Sequence, residues 1–345
     1  MPRDLWTVDL LDRHDRTKAT LGRVRSGSLV WSIFRAVPGS GTLDLTRGAE
    51  QIDWLTDRVR VTHSDGQTET PMGVWLISMP GWDTDGPVTR TTLTLLDKCE
   101  TLNSPIGEWV TYPAGTAVVA TVTGIITARG ETAMSVTASA LTLRTAQTWE
   151  PEDTWLTVVN DLLASINYAS LRADMQGRLV IEPYVAPADR TIAAIYGPEP
   201  GDARLRPSWS SEADIYSLPT GARIYVPGTD EVAGFVGAAD LPDDHPLSAA
   251  SRGRPLLLVE QGEAADQTVA NSLARRRLDE ALQVTQRVTV AHPVDGTDIG
   301  DLVHHRPLGL DAAIVGRTVG LGVGAVVADT IRHIYTGGDL PWPIH

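Results

Sequence analysis

The sequence holds a single cysteine, Cys99, among 345 residues. One thiol cannot close an internal disulfide and has no second Cys with which to build a metal cage. It reads as a small buried apolar residue. Phenylalanine is nearly missing, at Phe34 and Phe235 only. Clustered positive charge is missing as well: 29 Lys and Arg stand against 43 Asp and Glu, for a net charge of −14. Nucleic-acid binding needs a basic stripe to neutralise phosphate, so no specific nucleic-acid partner is expected. The one basic run, Arg275-Arg276-Arg277, reads as a solvated helix face with local ion pairs. No window approaches the roughly 18 apolar residues that span a bilayer. The opening MPRDLWTVDLLDRHDR places charges inside its only apolar run, so neither a signal peptide nor a membrane segment is expected.

What is present describes a globular chain. Hydrophobic residues make up 42% and charged residues 21%, enough apolar surface for real cores. The length suggests two or three domains. Ten tryptophans run from Trp6 to Trp342, spread too widely for one aromatic platform and better suited to anchoring several small β-units.

Residues 5–97 pattern as short strands. Leu5–Leu11 comes first, then Thr20–Arg25 and Ser28–Phe34 with Ser26-Gly27 between them. A turn at 37–41 leads to the alternating Thr42–Thr46. Asp57–Ser64 and the return from Thr70 flank Asp65-Gly66, a hairpin signal. A loop at 83–86 precedes Val88–Leu96. This spacing predicts a barrel or sandwich.

Residues 98–190 differ. Lys98–Asn103 reads as a helical turn. Ala117–Arg129 has helical length but is rich in Val, Thr and Ile, which leaves helix and strand both open. Trp155, Val158, Val159, Leu162, Leu163 and Ile166 fall at helical spacing, with Asp153 or Thr154 as cap. A hairpin over 171–183 follows. The stretch 183–207 reads as a connector. Strands resume at 215–218, 222–226 and 233–237. The acidic segment 230–244 reads as a solvated loop.

The last clear unit is 266–305. Val269, Ala270, Leu273, Ala274, Leu278, Ala281 and Leu282 form one helical stripe behind an Asp266 cap. The opposite face carries Arg275, Arg276, Asp279 and Glu280, which the pattern would turn toward a neighbouring subunit. Val288 and Val290 then alternate as a strand, and 295–298 is a polar turn. Strands near 312–319 and 325–335 close the pattern.

No catalytic constellation stands up. His304 and His305 are adjacent on a strand and point to opposite faces, so they cannot converge on one metal. They read as strand-end surface residues, with His292, Asp298 and Asp301 nearby. Gly320, Gly322 and Gly324 have the spacing GxGxG and no helix after them, which suits a hairpin better than a dinucleotide fingerprint. Glu150, Glu152 and Asp153 sit where a helix N-terminus favours acids. We name no catalytic, cofactor-binding or metal residue, and expect neither an enzyme nor a cofactor.

The order of these segments resembles the minor tail proteins of long-tailed actinobacterial phages, specifically the tail-tip (baseplate) hub family. The resemblance is carried by four stretches: Val59-Arg60-Val61 through Pro71–Ser78; Leu93–Asp97 with Tyr112-Pro113-Ala114-Gly115-Thr116; Trp149-Glu150-Pro151 through Tyr168 and Asp174–Tyr184; and Ala274–Leu278 through Gly300-Asp301-Leu302-Val303. It implies an α+β, mainly β fold with two tube-type β-barrel domains and a small α+β domain between them. The expected division is a first barrel at 1–100, the α+β domain at 101–190, a connector at 191–211, a second barrel at 212–338 with helix 266–283, and a tail at 339–345.

The implied role is structural. A homotrimer forms a pseudo-sixfold hub ring that joins the tail tube and distal tail protein to the tip. DNA and the tape measure protein pass through it, and other tail-tip or fibre proteins bind below. The expected location is the virion tail tip, after assembly in the host bacterial cytoplasm. An acidic bore would repel DNA phosphate and let the genome pass. Two alternatives stay open: a distal tail or receptor-binding protein that holds glycans through exposed Trp, and a tail-associated wall hydrolase.

Overall fold

Alternating burial begins at the first described residues. In a computed structural model that describes residues 5–21, 24–45, 52–85, 88–186, 189–199, 202–204, 210–212, 216–228, 232–282, 287–322, 324 and 326–333, Val8 and Leu10 point inward from β1 (Leu5–Leu11). The N-terminal strands continue as β2 (Thr17–Leu21), β3 (Val24–Ser32), β4 (Gly39–Leu45), β5 (Arg58–Ser64), β6 (Glu69–Asp85) and β7 (Val88–Asp97). All pair antiparallel, in the spatial order β3-β4-β7-β6-β5-β1-β2. Leu29, Leu43, Leu93, Leu95, Val59, Val61, Trp31 and Trp75 fill their shared core.

Two glycine-rich stretches expected as breaks lie inside strands. Ser26-Gly27 is part of β3, and Gly39-Ser40-Gly41 opens β4. Crowding explains both. A Cβ on Gly27 would stand 2.5 Å from the Thr42 carbonyl oxygen, and one on Gly41 would stand 2.7 Å from a Leu29 methyl. These glycines are there for close approach across the sheet and do not mark a turn. Likewise 83–85 continues β6 instead of forming a loop. The Asp65-Gly66 turn is where the signal placed it, with Gly66 at φ +88°.

The middle of the chain mixes helices with short strands. After a 3-10 turn at Lys98–Leu102 come β8 (Val110–Tyr112), α1 (Val118–Ala128), β9 (Met134–Val136), β10 (Gln147–Trp149), α2 (Trp155–Ser165), β11 (Arg172–Ala173) and β12 (Leu179–Ile181). The ambiguous Val/Thr/Ile run is thus a helix. Val118, Val122, Ile125 and Ile126 bury against α2, and Thr121, Thr123 and Thr127 hydrogen-bond back to the carbonyl four residues earlier. Tertiary burial decides what propensity left open. Helix α2 starts at the Thr154 cap, whose hydroxyl accepts from the Thr157 N–H at 3.1 Å.

The stretch expected as a connector is structured. It holds β13 (Ile192–Gly197) and β14 (Ala203–Arg204), both in the large sheet. Then follow β15 (Ser210–Glu212), β16 (Gly221–Val226), β17 (Phe235–Asp240), α3 (Ala249–Arg252), β18 (Leu257–Gln261), α4 (Gln267–Leu282), β19 (Arg287–His292), β20 (Leu302–His305), β21 (Leu310–Gly320) and β22 (Val327–His333). Residues 216–218 carry no strand, and 215 lies outside the described residues. The acidic segment is not simply a loop, since β17 runs through it.

The two strand-rich ends form one sheet. β21 pairs β3 over Gly316–Gly320 and Ser28–Ser32, and so joins β1–β7 to β13, β14, β15, β19, β20 and β22 in a continuous 14-stranded sheet. The cores are also shared: Ile299, Val319, Leu321 and Val327 pack among the residues of β1–β7. The chain is 43% strand and 18% helix, hence α+β and mainly β. The C-terminal segment 339–345 lies outside the described residues.

Helix α4, expected as part of the second barrel at 212–338, does not lie across this sheet. It covers a separate three-stranded sheet, β17-β16-β18. Leu273, Ala274, Leu278 and Leu282 pack on Ala222, Ile224 and Leu218 there. The Asp266 side chain accepts from the Val269 N–H at 2.8 Å, capping the helix.

Candidate functional site

Two buried polar clusters pin the units together, and neither was visible from residue spacing. The first ties the N-terminal sheet to the helical unit. Lys98 is fully buried, and its ammonium meets the Asp15 carboxylate and, at 3.4 Å, Glu131. The Arg58 guanidinium donates to Asp15 at 3.0 Å and grips both Glu131 oxygens. Two cations thus face two carboxylates, Glu131 fully buried and Asp15 partly exposed. Asp15 reaches the cluster from a left-handed position, φ +61°, in the β1–β2 turn, a conformation that Asp tolerates better than most residues.

The second cluster crosses the C-terminal strands. Arg317 on β21 donates Nε to Asp329 Oδ1 at 2.8 Å and Nη2 to Asp329 Oδ2 at 2.7 Å. The His292 Nε2 stands 3.0 Å from Asp329 Oδ2, and the Tyr196 hydroxyl donates to the same oxygen at 3.1 Å. Burial alone would raise the Asp329 carboxyl, but the hydrogen bonds and charge of Arg317 and His292 outweigh it and hold the group at about 2. Each partner lies on a different strand, β13, β19, β21 or β22. The arrangement resembles an acid–base relay in composition only. Tyr196, His292, Arg317 and Asp329 are all at most 2% exposed, so no substrate reaches them.

The other residues weighed from the sequence do not converge on a site. His304 pairs with Asp311 at 2.7 Å on one face of β20. His305 points the other way and is fully buried, which corrects its reading as a surface residue. Asp298 and Asp301 shape the turn before β20: the Asp298 N–H donates to Asp301 at 2.7 Å. Asp153 accepts from the Glu150 N–H at 2.9 Å and so holds its own turn. Gly320 and Gly322 belong to the end of β21 and the turn after it, where the Gly322 carbonyl accepts from Trp6 Nε1 at 3.0 Å. Cys99 is buried, and burial pushes its thiol well above the usual range. Among the described residues no cluster of three or more His, Cys, Asp or Glu could hold a metal ion, and no helix is long and apolar enough to cross a membrane.

The basic run on α4 divides three ways. Arg275 pairs with Asp279 at 2.9 Å, and Arg277 with Glu260 and Glu280. Arg276 is buried: it donates to the Tyr168 carbonyl at 2.8 Å and lies 4.6 Å over the Tyr184 ring. At Arg276, then, that face of α4 is turned toward this chain's own helical unit.

What remains accessible is surface. Leu55 (94%), Trp109 (64%), Trp82 (60%) and Phe34 (60%) stand out on separate elements, with the Trp54 ring edge-on to Trp82 at 5.8 Å. A shallow groove between α1 and Trp155 is lined by Tyr112, Ile125 and Arg129. Nothing in it combines a nucleophile with a base.

No family model matches the sequence, and no curated protein matches it significantly. Solved structures do match the fold. A tail protein from Neisseria meningitidis MC58 aligns with a TM-score of 0.66 at 12% identity, covering 95% of this chain and 96% of that one. The 43 kDa tail protein of prophage MuSo2 from Shewanella oneidensis aligns with a TM-score of 0.65 at 12% identity, covering 95% and 98%. The E. coli c3393 protein aligns at 0.56 and 11% identity, covering 92% and 76%. It is described as a component of the type VI secretion system with structural similarity to the T4 bacteriophage tail proteins gp27 and gp5. The fold is thus the fold of phage tail proteins, at identities that speak for architecture alone.

Proposed function

We propose that this chain is a structural protein of a phage tail and, within the tail, the hub of the tip. The observation that carries the reading is fold likeness over nearly the full length of both chains with two phage tail proteins. Within that class, the hub position rests on the resemblance of the four sequence stretches to the hub family. The sheet supports it too. Seven strands from the N-terminal part and seven from the C-terminal part meet at the β3–β21 seam. If each set corresponds to one tube-type barrel, three copies present six barrels, and a threefold ring fits a sixfold tube.

In this reading the partners are two further copies of the chain, the distal tail protein above, tip or fibre proteins below, and the tape measure protein within. The chain is not an enzyme, needs no cofactor, and resides at the tail tip after assembly in the bacterial cytoplasm. Its role in ejection is to leave a path for DNA, and a net charge of −14 suits a bore that repels phosphate. The test is the mass and a low-resolution image of the purified assembly. Three copies in a ring with six-lobed density are expected; a sixfold ring of six copies, or a monomer, defeats the hub reading.

A second reading is favoured by one observation, the exposure of Trp82 and Trp109. Tryptophan faces open to solvent can stack on sugars, as a receptor-binding tail protein would require. Quenching of tryptophan emission by host wall glycans, lost in Trp82→Ala or Trp109→Ala, would replace the hub with that role.

A further inference from the structure

The buried cluster around Lys98 sets an amine against a carboxylate, with a second carboxylate and a guanidinium beside them. The fold fixes each from a different place. Asp15 sits in the β1–β2 turn, where its N–H donates to the Asp12 carbonyl at 3.0 Å and its own carbonyl accepts from Arg60 at 3.5 Å. Arg58 opens β5, and Lys98 follows β7 directly. Glu131 comes just after α1, its N–H bonded to the Ile126 carbonyl at 3.2 Å. The Lys98 and Glu131 side chains are at most 1% exposed, while Asp15, at 19%, reaches the surface.

Every group is placed for a reaction at the Asp15 carboxyl. The Lys98 Nζ donates to Asp15 Oδ2. Cγ lies one bond further on, so the amine is within about 3.5 Å of it, the range of a near-attack pair. Arg58 Nη1 donates to the other oxygen, Oδ1, at 3.0 Å. It stands where an oxyanion would form. Glu131 Oε2 lies 3.4 Å from Nζ, within reach of its protons.

We propose that Lys98 and Asp15 condense into an isopeptide bond, with Glu131 carrying the protons. The atoms balance without an oxidant, a reductant or a cofactor. The ammonium passes one proton to Glu131, and the freed Nζ lone pair attacks Cγ. A C–N bond forms, and Oδ1 takes the negative charge against Arg58. Nitrogen then gives up a second proton. Both protons end on Oδ2, its bond to Cγ breaks, and it departs as water by the exposed side of Asp15. Nζ keeps its third hydrogen in a neutral amide. Burial favours this product: two charges held out of water disappear, and Arg58 and Glu131 remain as a one-to-one pair.

The two residues are 83 positions apart. Their bond ties the β1–β2 turn to the entrance of the helical unit and closes β2–β7 inside a covalent loop. Such a loop restricts the unfolded chain. Tension between β1 and the helical unit would also bypass those strands.

The test is the intact mass of the full chain, denatured after prolonged incubation in the folded state, followed by tryptic mapping. Wild type is expected one water lighter than its sequence, and Lys98→Met and Asp15→Ala at full mass. Trypsin should leave a branched peptide in which His14-Asp15-Arg16 hangs from an uncleaved Lys98. Glu131→Gln should lose water on the order of a hundredfold more slowly. A folded, incubated wild type at full mass overturns the proposal. So does water loss that maps elsewhere, such as a succinimide at Asp65-Gly66 or a branch from Lys98 to Glu131. Condensation at the wild-type rate in folded Glu131→Gln overturns the role given to Glu131. If Glu131→Gln does not fold, the wild-type mass and the branched peptide decide alone.

Discussion

Arg317 and Asp329 face each other across the β21–β22 hairpin as register partners and close a two-pronged ion pair, at 2.8 and 2.7 Å, with at most 2% exposure on either residue. The pair sits near the seam that joins the two ends of the chain, since Arg317 is also the register partner of Trp31 on β3. It holds the C-terminal strands in one alignment, while His292 and Tyr196 extend the hold to β19 and β13.

Removing one member should be costly. Asp329→Asn leaves the buried Arg317 charge with only the more distant Asp295 carboxylate, at 3.9 Å, and a broken buried pair typically costs about 3–5 kcal/mol. The denaturant midpoint should fall accordingly. The double change Arg317→Met with Asp329→Leu should recover part of the loss, because no uncompensated charge then remains. Equal midpoints for wild type and Asp329→Asn would show that the pair is not a structural pin.

The Lys98 cluster makes a similar prediction at another seam. Glu131→Gln leaves Lys98 and Arg58 with only the Asp15 carboxylate. Melting should drop by an amount equivalent to roughly 3 kcal/mol or more. A cycle with Lys98→Met should show a coupling energy between the two sites of about 1–3 kcal/mol. Simple additivity of the two single changes would argue against a working cluster.

Two buried carboxyls respond to pH with opposite signs. Burial raises Asp97 to about 6, despite hydrogen bonds from the Cys99 and Gly39 N–H groups. The folded state then binds the proton more tightly than the unfolded chain, so stability falls as pH rises from about 4 to 6, by on the order of 2–3 kcal/mol. Asp329, held at about 2, works the other way: its contribution is complete above about 4 and is lost as pH falls toward 2. Denaturant titrations between pH 4 and 7 should give a less negative slope for Asp97→Asn than for wild type. Parallel curves would rule out Asp97 as the source.

The seat of α4 should tolerate almost no change. Leu278 is fully buried against the β16 side of the small sheet, and Leu278→Asp would place an unpaired charge there. Loss of cooperative melting is expected. Gly237 tests the same contact more gently. A Cβ on it would stand 2.2 Å from the Ala270 carbonyl oxygen, so Gly237→Ala should push the helix off the sheet at a cost of about 1–3 kcal/mol. Unchanged melting in both variants would mean that α4 is peripheral to the fold.

Local chemistry is what the sequence by itself determined. The Asp266 cap, the stripe from Val269 to Leu282, the α2 spacing from Trp155, the Asp65-Gly66 turn and the alternation in β1 all depend on contacts within a few residues, and each is present in the fold. Tertiary structure decided the rest. Gly27 and Gly41 look like turns until Thr42 and Leu29 crowd them from a neighbouring strand or segment. The Val- and Thr-rich α1 becomes a helix because α2 buries its apolar face. Arg276 reads as solvated until the Tyr168 carbonyl, 108 residues away, encloses it, and Arg58 and Arg317 are buried by partners 73 and 12 residues away. Charged residues at inward positions of a strand, such as Asp329 between Val327 and Ile331, were the one available hint. The β3–β21 seam had no hint, since pairing between distant strands depends on burial and register that no short window of sequence contains.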